Sequence, residues 1–226
     1  MPITLYHKAR PDDSAVNQVL NMVASYTTDL RLDAIAPSNA FYELYQWALV
    51  REVDQYIRQI GRADALVELF LAFDEVNLEE VVGFLLYLPV LGHSDACGVS
   101  YMAVKGAHRG RGIGKALLAQ MISRYPHAEL TCSVSNVGFY ENMGFKVIGT
   151  HSTQVAMNTK TQSTQGKIAI VDGQLILASA EAQQRQAELE QRRGRKEMRY
   201  AKQQFERHVS KLTRQTEEFV RERLGR

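Results

Sequence analysis

Val99-Ser-Tyr-Met-Ala-Val104 and, shortly after it, Arg109-Gly110-Arg111-Gly112-Ile113-Gly114-Lys115 form one strand-to-helix junction. The first run is apolar enough for a buried strand, and Ile113, Leu117, Met121 and Ile122 then recur at helical spacing, so the glycines fall between the two. A helix that starts there leaves its first backbone N–H groups unpartnered. Together with the positive end of the helix dipole, they suit an anionic oxygen such as a phosphate. Gly110, Gly112 and Gly114 let the backbone approach a ligand closely, and Arg109, Arg111 and Lys115 add positive charge.

Spacing excludes two of the phosphate loops that such a junction could hold. A Walker loop needs glycine where this chain has Arg109 and a hydroxyl residue where it has Ala116; a dinucleotide fingerprint starts from neither Gly110 nor Gly112. The remaining pattern, Arg-x-x-Gly-x-Gly, resembles the acetyl-CoA pyrophosphate loop of the GCN5-related N-acetyltransferases (GNAT family). A second stretch, Asn136-Val-Gly-Phe139-Tyr140-Glu-Asn-Met-Gly144-Phe145, resembles the same family's later motif, a short helix carrying Phe-Tyr and closed by Gly-Phe. Phe139 and Phe145 read as core aromatics and Gly144 as a helix C-cap.

The resemblance implies acetyl-CoA as cosubstrate and an amine, on a small molecule or a protein, as acceptor. It assigns the pyrophosphate to the backbone of Arg109, Gly110, Arg111, Gly112, Ile113, Gly114 and Lys115, the pantetheine amides to the strand edge at Met102 and Val104, and a further cofactor contact to Asn136. Tyr140 carries over as the general acid, since a phenol of pKa about 10 can protonate a departing thiolate. No metal is implied. Many relatives carry a glutamate base on the fourth strand, but Gly98–Val104 contains no carboxylate. That leaves Glu79, Glu80, His93 and Asp95 nearby in sequence, a water-mediated route, or an acceptor that is already neutral.

At 226 residues with 45% hydrophobic content, the chain suits one sizeable domain plus an appendage. Two cysteines, Cys97 and Cys132, form no metal or disulfide pattern; they read as buried thiols of a protein kept in a reducing cytosol. The N-terminus resembles no signal peptide, and the apolar run Phe84–Leu91 is too short to cross a bilayer, so a cytoplasmic protein without a membrane partner is expected.

The overall expectation is an α/β fold: a mixed, mostly antiparallel sheet with flanking helices in residues 1–160, a linker and β-hairpin in 161–178, and a long charged amphipathic helix in 179–226. Ile3–Tyr6 reads as the first strand, a helix runs from Pro11-Asp12-Asp13-Ser14 to about Leu30, and Ser38 or Asn39 caps a second helix ending at Gly61. By resemblance the junction of these helices overhangs the acceptor pocket, where Asp29, Asp33 and Glu43 could attract a cationic amine. Strands follow at Leu66–Phe73, Val81–Val90, up to Val104, Glu129–Val134, Phe145–Gly149 and Gln154–Asn158, with a helix at 112–124. Asp172-Gly173 between Lys167–Val171 and Gln174–Leu177 spells a hairpin turn.

Residues 181–226 hold 13 Lys and Arg against 8 Asp and Glu, a net +5, while residues 1–180 hold 14 against 17, a net −3. The tail favours a helix by propensity, supported by the pairs Glu181/Arg185, Glu188/Arg192, Glu217/Arg221 and Glu222/Arg226; unbroken it would be about 69 Å long. Its thin stripe of Met198, Ala201, Phe205, Val209, Leu212, Phe219 and Val220 needs a partner: the domain itself, a second copy as a coiled coil, or another protein. The basic cluster is interrupted by acids and lacks interleaved aromatics, which argues against nucleic acid. Two functional readings result: an acetyl-CoA-dependent N-acetyltransferase working by direct attack in a ternary complex, or an acyl-CoA-binding or silent interaction protein that recruits a partner through the tail.

Overall fold

The computed structural model describes residues 1–225. Strands β1 (Ile3–Tyr6), β2 (Glu68–Phe73), β3 (Val81–Pro89), β4 (Ala96–Val104), β5 (His127–Cys132), β6 (Lys146–His151) and β7 (Gln154–Asn158) form one sheet in the order β1-β2-β3-β4-β5-β7-β6. Every neighbouring pair is antiparallel except β4 and β5. All nine residues of β3 are buried, as a continuous apolar run predicts for a strand covered on both faces. One face packs against helices α1 (Asp13–Ser25) and α3 (Tyr42–Gln59), with Leu49, Ile57, Phe84 and Leu86 in its core. The other packs against α4 (Ile113–Arg124) and the short α5 (Val137–Glu141), around Leu85, Leu117, Met121 and Phe145.

The first helix does not run unbroken to Leu30. It starts on the Asp12 carboxylate, which accepts from the Ala15 amide at 2.9 Å, and stops at Tyr26; α2 (Thr27–Leu30) follows as a separate turn. Thr27 bonds back to the carbonyls of Val23 and Ala24, a competition with the helical ladder that helps end α1. Asn39 accepts from the Phe41 amide in the turn ahead of α3, but the residue that caps the helix is Phe41 and no side chain bonds its first turn, so the expected cap at Ser38 or Asn39 does not form.

The expected hairpin after residue 166 does not form. Lys167 makes a single bridge to Leu91 and Val171 donates to the Tyr56 hydroxyl, but the chain then enters a short helix, α6 (Gly173–Leu177). Asp172 accepts from the Gln174 amide at 2.8 Å and so caps that helix instead of turning a hairpin. Gly173 is there for closeness: a Cβ on it would lie 2.8 Å from the Glu52 carboxylate. A lone two-stranded hairpin is marginal in water, and tertiary contact decided the outcome.

The tail is helical but not one rod. Gly194, at φ 83, separates α7 (Ala180–Arg193) from α8 (Arg195–Leu224), and Ser179 caps α7. Both helices dock on their own domain. Leu189, Met198 and Ala201 pack with Ala40 and Leu44, Phe205 lies against Tyr45, and Val220 joins the core around Phe145. Arg192 pairs with Glu43 at 2.7 Å and Arg223 with Glu141 at 2.7 Å, while Glu181 keeps its expected pairing with Arg185 at 3.2 Å. The Glu222/Arg226 pair reaches outside the described residues. Among those residues no helix is long and apolar enough to cross a membrane.

Candidate active site

The parallel pairing of β4 with β5 lasts only from Ala96/His127 to Gly98/Glu129. Beyond it the strands part, and among the described residues the outer edge of Val99–Val104 has no strand partner. A bulge falls where the strands part: Leu86 pairs with Tyr101 and Tyr87 with Val99, so Ser100 is the extra residue in β4. The bulge also resets side-chain alternation, sending Val99, Met102 and Val104 toward the α4 core and Tyr101 toward the α1 and α3 core. A cleft of about 1460 Å³ opens between the strands.

One end of the cleft is the glycine loop. Gly110 and Gly112 adopt φ 78 and 80, a region that side chains resist, and no atom lies within 4 Å of where their Cβ atoms would be. The first α4 hydrogen bond runs from Ala116 to Gly112, so the N–H groups of Ile113, Gly114 and Lys115 precede the ladder at the positive end of the helix. These residues, with Arg109, Gly110 and Gly112, line the cleft; Arg111 is exposed and does not. Arg109 is held by stacking on Tyr26 at 4.7 Å and by donating to the Val104 carbonyl at 3.1 Å. Open space at two positive-φ glycines, free amides and two cations together suit a diphosphate.

Met102, Val104, Asn136 and Tyr140 line the same cleft, so ten of the eleven residues picked from sequence converge on it. Tyr140 is only 9% exposed, in edge contact with Phe139 and Phe145. Burial, and after it the neighbouring Cys132, pushes its phenol above the ordinary tyrosine range. The group therefore stays protonated through neutral pH. Phe145 is buried and Gly144, at φ 89, follows the helix as a C-cap does; Phe139 is half-buried and turned to the cleft. Both thiols are free and buried; burial raises Cys97 and Cys132 to about 12, with Glu68 adding to the effect on Cys97.

The acids named from sequence are placed unevenly. Asp29 lines the cleft, whereas Asp33 faces Ser152 and Glu43 is paired with Arg192. Glu79, Glu80, His93 and Asp95 do not reach it; Glu80 is held by Lys105 and His93 by the Gln165 carbonyl.

Two sets of cleft residues escaped the sequence reading. Leu212, Thr216 and Phe219 of α8 form a wall, fastened where Thr216 donates to the Thr153 carbonyl at 2.8 Å. Tyr101 is the other, with its hydroxyl 2.6 Å from Glu52 of α3. The signal for α8 was its apolar stripe, which gave no address. Glu52 sat among the apolar positions of α3, the one acid on that face.

Residues 65–147, which include the bulged strand, the glycine loop and Tyr140, match the family model described as the acetyltransferase (GNAT) domain. No curated protein sequence matches the chain significantly. Among solved structures, the PaiA N-acetyltransferase from Thermoplasma acidophilum in complex with coenzyme A is 16% identical with a TM-score of 0.54, covering 71% of this chain and 99% of its own. The histone acetyltransferase HPA2 and related acetyltransferase from Corynebacterium glutamicum is 17% identical at 0.51, covering 73% and 99%. An acyl-CoA N-acyltransferase from Pseudomonas aeruginosa is 13% identical at 0.50, covering 71% and 100%. At these identities the structures speak for the fold, a mixed sheet with flanking helices. The match to the GNAT acetyltransferase family thus rests on the domain at residues 65–147.

Proposed function

We propose that the protein transfers an acetyl group from acetyl-CoA to an amine by direct attack in a ternary complex. The observation that carries this reading is the convergence of the glycine loop, the free β4 edge and Tyr140 on one cleft. In it the amides of Ile113–Lys115 and the charges of Arg109 and Lys115 hold the diphosphate, and the edge at Met102 and Val104 pairs with the pantetheine amides. Acetyl-CoA supplies the acetyl thioester. Asn136 contacts the cofactor chain, and Tyr140 delivers a proton to the sulfur as the C–S bond breaks.

Direct attack is favoured over an acyl-enzyme by the state of the thiols. Cys132 lines the cleft, but with its pKa pushed up to about 12 it stays a thiol at neutral pH, and the thiolate is the nucleophile. The reading as a partner-recruiting protein is weakened by the tail, whose apolar stripe is largely covered by its own domain.

Release of free coenzyme A, followed against alkylamines, polyamines, amino acids and peptide N-termini, tests the proposal. Turnover with any of these classes supports it. Tight cofactor binding without turnover on all of them overturns it, as would stoichiometric acetylation of Cys132 by acetyl-CoA alone.

A further inference from the structure

An acid works only if its hydroxyl is held in place, and among the described residues no hydrogen bond contributes to the shift of the Tyr140 phenol, which burial and Cys132 cause. Packing must do the holding. The ring lies edge-on to Phe139 and Phe145, and it is carried by α5, five residues long and without a side-chain cap at its start. A helix that short is not stable by itself, so its neighbours fix its position.

One of those neighbours is α8. Leu212, Thr216, Phe219, Val220 and Arg223 are spaced so as to share one helical face. Leu212, Thr216 and Phe219 line the cleft, and Val220, 6% exposed, enters the core that also holds Tyr140 and Phe145. Arg223 then donates to both carboxylate oxygens of Glu141, at 2.9 and 2.7 Å, with its guanidinium 5.7 Å from the centre of the Phe219 ring. Glu141 follows Tyr140 directly in α5. A single face of α8 thus joins the cleft wall to the helix that carries the phenol.

We propose that α8 positions the general acid: Val220 and Arg223 seat α5 so that the Tyr140 hydroxyl meets the cofactor sulfur. The inference rests on the reading of Tyr140 as the acid, and it adds residues outside 65–147, the stretch that matches the acetyltransferase domain. Neither Val220 nor Arg223 lines the cleft, so both are positioning residues that act through Tyr140. Val220 carries more of the seat, because the Arg223 and Glu141 side chains are 50% and 35% exposed and water screens such a pair. Small movements suffice: a catalytic group displaced by about 1 Å can cost about 100-fold in rate.

The test measures coenzyme A release by full-length Val220→Ala, Arg223→Gln and the double variant, each with Tyr140 intact and with Tyr140→Phe, using the amine that wild type turns over fastest. With Tyr140 intact the double variant should lower kcat by about 10-fold or more, with amine KM and coenzyme A affinity within about twofold of wild type. With Tyr140→Phe the same double variant should change kcat by less than about twofold, since no acid is left to misplace. Should Val220→Ala fail to fold, the exposed pair decides: Arg223→Glu should lower kcat, and adding Glu141→Arg should restore it.

A double variant as fast as wild type, an equal loss with and without the Tyr140 hydroxyl, or a loss confined to cofactor affinity would overturn the assignment. If Tyr140→Phe alone leaves kcat unchanged, the acid reading itself fails, and this inference with it; that result is distinct from the other three.

Discussion

Thr216 donates its hydroxyl proton to the Thr153 carbonyl at 2.8 Å, with both residues buried, and so fastens a helix from the far end of the chain to the turn between β6 and β7. Asn39 makes a similar fastening by donating to the Ala201 carbonyl at 2.9 Å. The tail is therefore part of the folded unit. Leu189→Ala, which empties a site only 2% exposed, should cost about 3 kcal/mol. Urea denaturation followed by the fluorescence of Trp47, which packs in the same cluster, measures it. An unmoved midpoint would mean that the tail unfolds separately.

Gly112 caps α4 at φ 80, so a side chain there would strain the backbone even though open space surrounds it. Gly112→Ala should destabilise the fold by about 1 kcal/mol and weaken coenzyme A binding by a larger factor, because the strain is relieved by moving the amides proposed to hold the diphosphate. Calorimetric titration checks this. Gly149, which has neither positive φ nor a close neighbour, is the control, and Gly149→Ala should leave affinity unchanged.

Replacing Tyr140 by Phe should lower kcat by at least about 100-fold with little change in coenzyme A affinity, since the ring's contacts with Phe139 and Phe145 survive and only the proton is lost. Steady-state rates and a binding titration separate the two effects. An unchanged kcat would remove Tyr140 from the acid role.

The thiols predict an alkaline limit to stability. Cys97 and Cys132 are raised from 9.0 to about 12 in the folded chain, so the folded state binds more protons than the unfolded one between those values. Their contribution is fully present below pH 9 and is lost as the pH rises toward about 12. The urea midpoint of the Cys97→Ala, Cys132→Ala double variant should therefore fall less steeply than that of wild type above pH 9. Alkylation at pH 8 should be slow in the native chain and fast for both thiols once it is unfolded.

What could be read in the sequence was local. Val81–Pro89 declared itself by an unbroken apolar run, and Gly110 and Gly112 by standing where a strand meets a helix. Other features depended on partners distant in sequence. The bulge at Ser100 carries no glycine or proline and exists only in the register of β3 with β4. Asp172-Gly173 has the composition of a turn, yet the nearness of Glu52 and the bond from Val171 to Tyr56 made it the start of a helix. Glu52 lay outside every motif, and only the packing of α3 on the sheet brought it to Tyr101.

The wall supplied by α8 has a consequence for timing. Every strand of the sheet leaves the ribosome before the helix that closes on it, so the domain can assemble its sheet while one side of the cleft is still open to solvent. A chain halted or clipped near Gly194 would keep the glycine loop and Tyr140 but lack Leu212, Thr216 and Phe219. Such a fragment would leave open to solvent the side of the cleft that α8 closes.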